Sequence, residues 1–406
     1  MREGSVAVAG SSRPVKRNGD QYYPYRQDSD CFYLTGINQP GTVLLLRRDN
    51  TGSRHDEMLF IRRPSPRSQI WEGPGLTPEE ASELSGVATV RWNDELGSEL
   101  RVVMKGTTCI YRSGQSSGTS PEDLLSRLPP ATGEGQPELL DLSPLVAGLR
   151  SVKSNEEVEC IKKASEITRE AFLKVLRLIR PGVWEYGIEA GITAEFIRRG
   201  AMGHAFEPIV ASGRNALVLH YVENSSQCME EELVLMDFGA EVNNYAADCT
   251  RTVPVNGRYS PRQRQIYEAV LRIFRQARDW LVPGTLLNDF HNRVGMLSQQ
   301  EHMKLGLYQA RDLAEEPGKE PMWKRYFMHG TSHSIGLDVH DPFDKSEPIR
   351  SGMVFTCEPA IYIPEEGIGI RLENTILVTD EGPVDLMEDI PLEPDEIETL
   401  MRSKSR

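Results

Sequence analysis

Short apolar runs separated by turn residues dominate the first 150 residues of the chain. Runs of this length that are rich in β-branched residues and bounded by turn residues predict strands. The segment from 113 to 138 is rich in Gly, Ser and Pro, which predicts surface loops around one short helix. We therefore predict a mixed-sheet α/β domain over 1–150. Its predicted strands are SVAVAG (5–10), TVLLLRR (42–48), EMLFIRR (57–63) and TTCIYR (107–112).

Apolar residues recur at helical spacing once the chain has passed residue 150. Ser154 and Glu157 form an S-x-x-E capping box, which predicts the start of a long helix with the sequence EEVECIKKASEITREAFLKVLRLI. The Pro-Gly pair at 181–182 ends it, and a second helical segment, WEYGIEAGITAEFIRRG, follows. The pattern predicts two consecutive helices.

The same arrangement returns later in the chain. The Ser-Pro pair at 260–261 opens the helical segment PRQRQIYEAVLRIFRQARDWL, the Pro-Gly pair at 283–284 ends it, and another helix is predicted from about Leu286 to Met303. A β-hairpin is predicted after each helix pair, first in ELVLMDFGAEVNNYAADCTRTVPV and then in GMVFTCEPAIYIPEEGIGIRLENTILVTD. Two such units indicate an internal duplication. We predict a second domain over 151–406, in which a pseudo-twofold axis brings the hairpins together.

Two aspartates lie on the predicted arms of the first hairpin, Asp237 and Asp248. A turn between Val242 and Asn243 would place them directly opposite each other, whereas a turn at Asn243-Asn244 would make them diagonal neighbours. Because strand side chains alternate with period two, both registers put the two carboxylates on one face.

Two glutamates face each other in the second predicted hairpin. A turn at Glu365-Glu366 pairs Glu358 with Glu373, and Arg371 shares their face. Opposed like charges are destabilising unless a positive group lies between them. A bound cation is the natural candidate.

Histidines support a metal site, because three of the eight in the chain lie in the segment FMHGTSHSIGLDVHD, at His329, His333 and His340. A single carboxylate or histidine is usually a solvated or hydrogen-bonded residue. Here the carboxylates adjoin strongly apolar strand residues, and buried unpaired carboxylates are costly. Four carboxylates and one imidazole suit two divalent ions that share bridging carboxylates. Such a pair can deprotonate a water and polarise a carbonyl.

Composition and net charge limit the classes of substrate and the cellular location that we expect. The chain has 406 residues, 60 acidic and 46 basic, for a formal net charge of −14. An acidic surface disfavours nucleic acid and anionic lipid, so peptides or small molecules are the expected substrates. The sequence has no signal-peptide pattern and no apolar stretch of membrane-spanning length, so we predict a cytoplasmic protein. The six scattered cysteines predict reduced thiols rather than a disulfide framework.

The segments LVLMDFGAEVNNYAADCTRT, HGTSHSIGLDVHD, CEPAIYIP and GIRLENTILV resemble the metal-binding segments of the M24 pita-bread metallopeptidases, in particular the bacterial aminopeptidase P group. The resemblance extends to RNGDQYYPYRQDSDCFYLTG and LRSVKSNEEVECIKKASEIT, and so covers nearly the whole chain. It implies an N-terminal creatinase-like domain followed by a pita-bread catalytic domain. One departure is Ala360, where Gly is common after the Glu-Pro pair of the family.

The resemblance also implies roles for individual residues. Asp248 and Glu373 would bridge two divalent ions, usually manganese and sometimes cobalt or zinc, while His220 would assist proton movement and substrate binding. His329 and His340 would contact substrate and the oxyanion. Glu358 would be both a ligand and the acid/base partner of the attacking water. The position of Arg371, two residues before Glu373, separately predicts that it either braces ligand carboxylates or forms a cross-strand ion pair. The implied metal ligands are Asp237, Asp248, His333, Glu358 and Glu373.

The implied reaction is hydrolysis of the bond between an N-terminal residue and a following proline, with a metal-activated hydroxide as the attacking group. Three alternatives remain open at the level of sequence. The first is a Xaa-Pro dipeptidase, the second is a metal-free hydrolase of the creatinase kind, and the third is a silent pita-bread module that binds peptides or proteins. The intact ligand set argues against both metal-free alternatives.

The N-terminal domain is expected to complete a neighbouring subunit's site in a homo-oligomer. It contains none of the implied ligands, yet it carries Trp71 in the segment QIWEGPG, which predicts a turn-rich loop. A rigidly held Trp can pack against a proline ring. The resemblance implies that Trp71 reaches a neighbour's pocket and that Asp20 lies close by. The alternative is that Trp71 is buried in its own domain.

Overall fold

The computed structural model of the chain describes residues 1–51, 55–113, 137–313 and 320–403. The chain divides into two compact units, Met1–Leu149 and Arg150–Arg406. Most of the segment 113–138, with its predicted short helix, lies outside the described residues. Within the described ranges, no helix is both long enough and apolar enough to cross a membrane.

The first unit is built on a mixed sheet. Its strands are β1 (Ser5–Gly10), β2 (Lys16–Asn18), β3 (Gln21–Tyr22), β4 (Val43–Arg48), β5 (His55–Ile61), β6 (Val90–Trp92), β7 (Cys109–Arg112) and β8 (Glu138–Asp141). Six of them form one sheet in the order β6-β5-β4-β1-β7-β8. β1 runs antiparallel to β4 and parallel to β7, which confirms the predicted mixed α/β class. Its helices are α1 (Ser29–Thr35), α2 (Pro66–Glu72), α3 (Pro78–Ser85), α4 (Leu96–Val103) and α5 (Ser143–Arg150).

The central strand of this sheet is buried on both faces. Val6 and Val8 belong to one apolar cluster, and Ala7 and Ala9 to another. Alternate side chains of a strand point to opposite faces, so each cluster covers one face. This explains why the four residues from Val6 to Ala9 are all apolar instead of alternating with polar residues.

The segment that carries Trp71 is helical, so the prediction of a loop there is wrong. Ser65 accepts a hydrogen bond from the amide of Ser68 in a capping box, and Pro66 occupies the first turn. These are strong signals for a helix start, and they outweighed the Gly-Pro-Gly turn residues that follow. Trp71 lies in the last turn, before Gly73, whose φ is 89°.

The second unit contains the repeated helix pairs. The helices are α6 (Asn155–Val175), α7 (Glu185–Arg198), α8 (Pro261–Arg278), α9 (Leu287–Lys304) and α10 (Pro394–Arg402). The first helix of each pair starts after Ser154 and Ser260, as the sequence predicts, and each start has a capping box. The predicted long helix after Ser154 ends earlier than Ile179, because the chain leaves the helix after Val175.

Each helix pair is followed by strands. After the first pair come β9 (Gly203–His204), β10 (Ile209–Ser212), β11 (Leu233–Phe238), β12 (Ala240–Val242), β13 (Tyr245–Ala246) and β14 (Cys249–Pro254). After the second pair come β15 (Val354–Cys357), β16 (Ala360–Ile363), β17 (Ile368–Arg371), β18 (Asn374–Thr379) and β19 (Gly382–Asp385). One continuous apolar cluster joins residues from both halves, including Phe238, Phe274 and Ile370. This core holds the two predicted hairpins against the helices.

Candidate metal centre

The first hairpin turns at Asn243-Asn244. Both residues have positive φ, 50° and 65°, a conformation that Asn tolerates better than most residues. In the resulting register Asp237 pairs with Thr250. Asp237 and Asp248 are therefore diagonal neighbours on one face, which is the second of the two predicted registers.

The second hairpin keeps one register on both sides of its two glutamates. Glu358 and Glu373 lie between the paired segments and occupy facing positions in that register, as predicted. The side chains of Glu373 and Arg371 are buried and that of Glu358 is half-buried. The pairs that flank the glutamates are Cys357 with Asn374 and Ala360 with Arg371.

Three of the five predicted ligands converge on one point. One donor atom each of Asp248, His333 and Glu373 lies within 4.8 Å of the other two. Glu358 adjoins this group, because its Oε1 is 3.7 Å from Nε2 of His333. The fifth, Asp237, is on the same face as Asp248 and its charge acts directly on it. The fold thus brings together all five residues from separate parts of the chain.

Two buried aspartate oxygens indicate that this group of side chains can bind cations. Oδ1 of Asp237 and Oδ1 of Asp248 are buried and accept no hydrogen bond from the described residues. A buried carboxylate oxygen is costly unless a hydrogen bond or a cation compensates it. Divalent cations such as Mn²⁺ take carboxylate oxygens and imidazole nitrogens as ligands. The donor set therefore suits divalent cations.

The pKa values of the carboxylates in the centre also indicate that it binds cations. Burial raises the pKa of Glu358 to about 8, and the negative charge of Glu373 adds to the shift. Burial is also the main cause of the raised pKa of Asp248 and of Glu373, and the two carboxylates repel each other's charge as well as that of Asp237. In the protein alone, these carboxylates are not all ionised at once, and cations between them would restore their ionisation.

The guanidinium of Arg371 connects the two hairpins. Its Nη2 donates to Oδ2 of Asp237 at 2.5 Å, its Nε to Oγ1 of Thr250 at 3.1 Å, and its Nη1 to the hydroxyl of Tyr362 at 2.7 Å. Thr250 in turn donates to Oε2 of Glu373 at 2.6 Å. Arg371 is therefore both an ion-pair partner and a brace, and its carboxylate partner belongs to the other hairpin.

Both ring nitrogens of His329 have partners inside the protein. Nδ1 lies 2.7 Å from the carbonyl oxygen of Gly330, and Nε2 lies 2.9 Å from the hydroxyl of Tyr362. Because the carbonyl can only accept, Nδ1 carries the proton and Nε2 accepts from the tyrosine. Burial lowers the pKa of His329 to about 3, so the ring stays neutral. Nδ1 is also 3.5 Å from Oε2 of Glu358.

His340 and His220 present their imidazoles toward solvent. The ring of His340 contacts the ring of His333 edge to face, with centroids 4.2 Å apart. Desolvation on that side lowers the pKa of His340, and the charges of His333 and His220 add to the effect. His220 also lowers the pKa of His329, so the exposed imidazole lies close to both of these rings.

Three neighbours of the centre were not predicted from the sequence. Thr250 and Tyr362 each follow a predicted ligand at strand spacing, on the faces of Asp248 and Glu358, so the alternation of side chains could have identified them. His291 had no such signal, because it reaches the site from α9. Its Nδ1 accepts from the amide of Thr331 at 3.1 Å, and burial lowers its pKa to about 4.

The two predicted substrate residues of the first unit lie together. Asp20 and Trp71 both line a surface cavity of about 420 Å³. The side chain of Trp71 is 78% exposed, so the alternative that it is buried in its own unit is wrong. An exposed Trp of this size is available for contact with a ligand or another chain.

Two protein-family profiles match the chain. Metallopeptidase family M24 matches residues 159–380, and the N-terminal domain of aminopeptidase P matches residues 1–111. The Xaa-Pro aminopeptidase of Escherichia coli is 35% identical and covers 99% of this chain and 94% of its own length. Xaa-Pro aminopeptidase 3 of Homo sapiens is 31% identical, over 98% of this chain and 81% of its own.

Solved structures share the whole fold. Aminopeptidase P from E. coli with the inhibitor Pro-Leu superposes with a TM-score of 0.89 at 34% identity, over 99% of this chain and 94% of that one. The zinc-substituted E. coli enzyme in complex with product has a TM-score of 0.90 at 34% identity, with the same coverage. Proline aminopeptidase P II from Yersinia pestis has a TM-score of 0.90 at 33% identity, over 99% and 96%. Together with the two family matches, these similarities confirm the predicted fold class, an N-terminal mixed α/β domain followed by an M24 pita-bread domain.

Proposed function

This chain belongs to metallopeptidase family M24, and we propose on that premise that it hydrolyses the peptide bond between an N-terminal residue and a following proline. The observation that carries the proposal is the meeting of Asp248, His333 and Glu373 within 4.8 Å of one another, beside Asp237 and Glu358. Relatives that cover nearly the whole chain are Xaa-Pro aminopeptidases, which supports the choice of substrate class. The chain is thus a metal-dependent aminopeptidase.

We assign the metal ligands to five side chains and expect two divalent cations per chain. Manganese is the expected metal, with cobalt or zinc as substitutes. When bound, such cations polarise a carbonyl and acidify a water molecule. Asp248 and Glu373 would be the ligands shared by the two cations in this assignment, which their mutual repulsion and burial support. The ligands are Asp237, Asp248, His333, Glu358 and Glu373.

Glu358 moves the proton in the proposed reaction. Its two oxygens face His329 and His333 at 3.5 and 3.7 Å, so the carboxylate lies inside the centre. Glu358 accepts a proton from the attacking water as the water oxygen bonds to the scissile carbonyl carbon. The proton then passes to the proline nitrogen as the C–N bond breaks. The products are a free amino acid and a peptide that begins with proline.

The surface imidazoles bind the substrate and stabilise the oxyanion that forms from it. The lowered pKa of His340 keeps its ring neutral, so it donates one N–H to the developing oxyanion. His220 binds substrate on the same side of the centre. His329 was predicted to contact the oxyanion as well, but its nitrogens are held by Gly330 and Tyr362. We assign it a contact with substrate and a role in orienting Glu358.

We propose that the enzyme works as a homo-oligomer, in which Trp71 and Asp20 complete the site of a neighbouring subunit. The exposure of Trp71 and the shared cavity with Asp20 support this proposal. We also propose a cytoplasmic location, because six free thiols suit a reducing compartment.

A panel of peptides tests the substrate class. The manganese-loaded protein should cleave Xaa-Pro-Yaa tripeptides and longer peptides, and should leave matched Xaa-Ala-Yaa peptides nearly intact. Proline's tertiary amide has a distinct shape and lacks an N–H, so a site built for it orients other peptides poorly. Equal rates on proline and alanine peptides would refute the proposal. Cleavage of Xaa-Pro dipeptides alone would establish the dipeptidase instead.

A further inference from the structure

Glu185 is a buried carboxylate outside the metal centre, and it accepts several hydrogen bonds from one loop. It is the first residue of α7, and its side chain is fully buried. Oε1 accepts from the amide and hydroxyl of Ser212, both at 2.7 Å, and from Nδ2 of Asn215 at 3.0 Å. Oε2 accepts from the hydroxyl of Tyr221 and the amide of Ser226, both at 2.8 Å.

All of these donors belong to residues 212–226, which we call the His220 loop. The loop leaves β10, makes a short 3-10 helix over Gly213–Leu217, and carries His220 next to Tyr221. Tyr221 is buried, whereas Val218 and Val222 are 55% and 49% exposed and His220 is exposed. The bond from Tyr221 to Glu185 therefore anchors the exposed stretch that presents the imidazole.

The opposite side of the His220 loop packs against the second hairpin. A Cβ on Gly369 would lie 2.5 Å from the carbonyl oxygen of Ala216, so only glycine permits this approach of β17. β17 ends at Arg371, whose guanidinium binds Asp237. The loop is therefore held between Glu185 on one side and the strand that supports the metal centre on the other.

The chemistry of the five hydrogen bonds makes Glu185 hard to replace. All five groups are neutral donors, and only an acceptor with two oxygens satisfies them together. Burial opposes the charge, but the hydrogen bonds hold the pKa of Glu185 below its ordinary value. Gln would turn an NH₂ group toward donors of the loop, so the same shape would lose bonds and gain repulsion.

We propose that Glu185 is a positioning residue for His220, holding the loop so that the imidazole faces His329 and His340. The proposal rests on the proposed role of His220 in the aminopeptidase reaction. Glu185 does not touch substrate, and it acts through Tyr221 and the loop backbone. Because misplacing a catalytic group by about 1 Å can cost on the order of 10² in rate, loss of this anchor should be visible in activity.

The test compares Glu185→Gln with Glu195→Gln in the manganese-loaded protein. Glu195 is a matched control on the same helix, since its carboxylate is also buried but pairs with Arg198 and Arg199 away from the loop. Hydrogen–deuterium exchange of the peptide that spans 212–226 reports on the loop directly. Hydrolysis of an Xaa-Pro-Yaa peptide and metal content are measured on the same samples.

Glu185→Gln should speed exchange in the His220 loop and lower kcat/KM by at least about tenfold, with unchanged metal content. Glu195→Gln should change neither the loop exchange nor kcat/KM. In a His220→Ala background, Glu185→Gln should cause no further loss, since the group that it positions is already absent. Tyr221→Phe removes one of the five hydrogen bonds and replaces Glu185→Gln in the test if that variant does not fold. It should show faster loop exchange and lower kcat/KM, both to a smaller extent.

Several results would overturn the proposal. If the His220 loop of Glu185→Gln exchanges at the wild-type rate, the carboxylate does not hold the loop. The same conclusion applies to Tyr221→Phe where that variant is used. An undiminished loss of activity in the His220→Ala background would show that Glu185 acts elsewhere. Full activity of His220→Ala itself would refute the proposed role of His220, and with it the proposal that Glu185 positions this residue for catalysis.

Discussion

At the scale of single residues, Asp248 depends most directly on a bound cation. Its Oδ1 is buried and accepts no hydrogen bond from the part of the chain that the structure describes, and its charge faces those of Asp237 and Glu358. Asp248→Ala should therefore lose metal and turnover together, as measured by elemental analysis and peptide hydrolysis. Asp279→Ala, an exposed residue paired with Arg278, should change neither. Normal turnover in Asp248→Ala would contradict a centre of two cations.

His340 should act on the transition state and not on metal binding. Its exposed ring rests on His333 and stays neutral near pH 7 because its pKa is lowered. We expect His340→Ala to keep its metal and to lose roughly 10² in kcat, which is the usual effect of removing an oxyanion donor. The exposed His55 of the first unit provides the control substitution. Loss of metal from His340→Ala would instead make His340 a ligand.

At the scale of elements, a buried ion cluster fixes one end of the loop that carries three of the site histidines, His329, His333 and His340. Oδ1 of Asp341 accepts from Arg150 at 2.6 Å, and its Oδ2 accepts from Lys153 at 3.1 Å. The side chains of Asp341 and Lys153 are each 1% exposed. Asp341 directly follows His340, so the start of the second unit holds this end of the loop.

Asp341→Ala should destabilise the second unit by about 3–5 kcal/mol, because it removes the carboxylate that pairs with the buried Lys153, whereas Arg150 keeps its pair with Asp338. Urea unfolding followed by fluorescence measures the change in the free energy of unfolding. Glu159→Ala removes an exposed partner of Lys162 and should cost no more than about 1 kcal/mol. A similarly small loss for Asp341→Ala would mean that the cluster contributes little to stability.

Helices and strands themselves were largely predictable, because their signals are local. Capping boxes at Ser154 and Ser260 mark the helix starts in both halves. Period-two alternation put Asp237 and Asp248 on one face whichever turn formed. Local signals failed where two of them competed, as in the segment of Trp71, where a capping box and a Gly-Pro-Gly turn are adjacent.

At the scale of the whole molecule, Trp71 should report on assembly. Its side chain is 78% exposed beside the cavity that it shares with Asp20. If it completes a neighbour's site, Trp71→Ala should raise KM for Xaa-Pro-Yaa peptides several-fold and leave metal content unchanged. Leu84→Ala, at an exposed apolar residue of the same unit, is the control. Light scattering that finds a fully active monomer would rule out the shared site.

Most of the elements, the duplication and the pairs of facing carboxylates were predictable from the order of residues alone. These features depend on spacing along the chain and on the cost of burying carboxylates, and both are properties of the sequence. It also specified the facing positions of Glu358 and Glu373, since a hairpin turn sets register locally.

Contacts between distant parts of the chain could not be predicted and became visible in the folded protein. Arg371 binds Asp237 from another hairpin, His291 arrives from a helix, and Glu185 gathers the loop of His220. Such contacts join residues far apart in sequence, and nothing local distinguishes a surface glutamate from one that becomes a buried anchor. The physical reason is that burial, and with it the strength of each polar contact, exists only once the chain is packed.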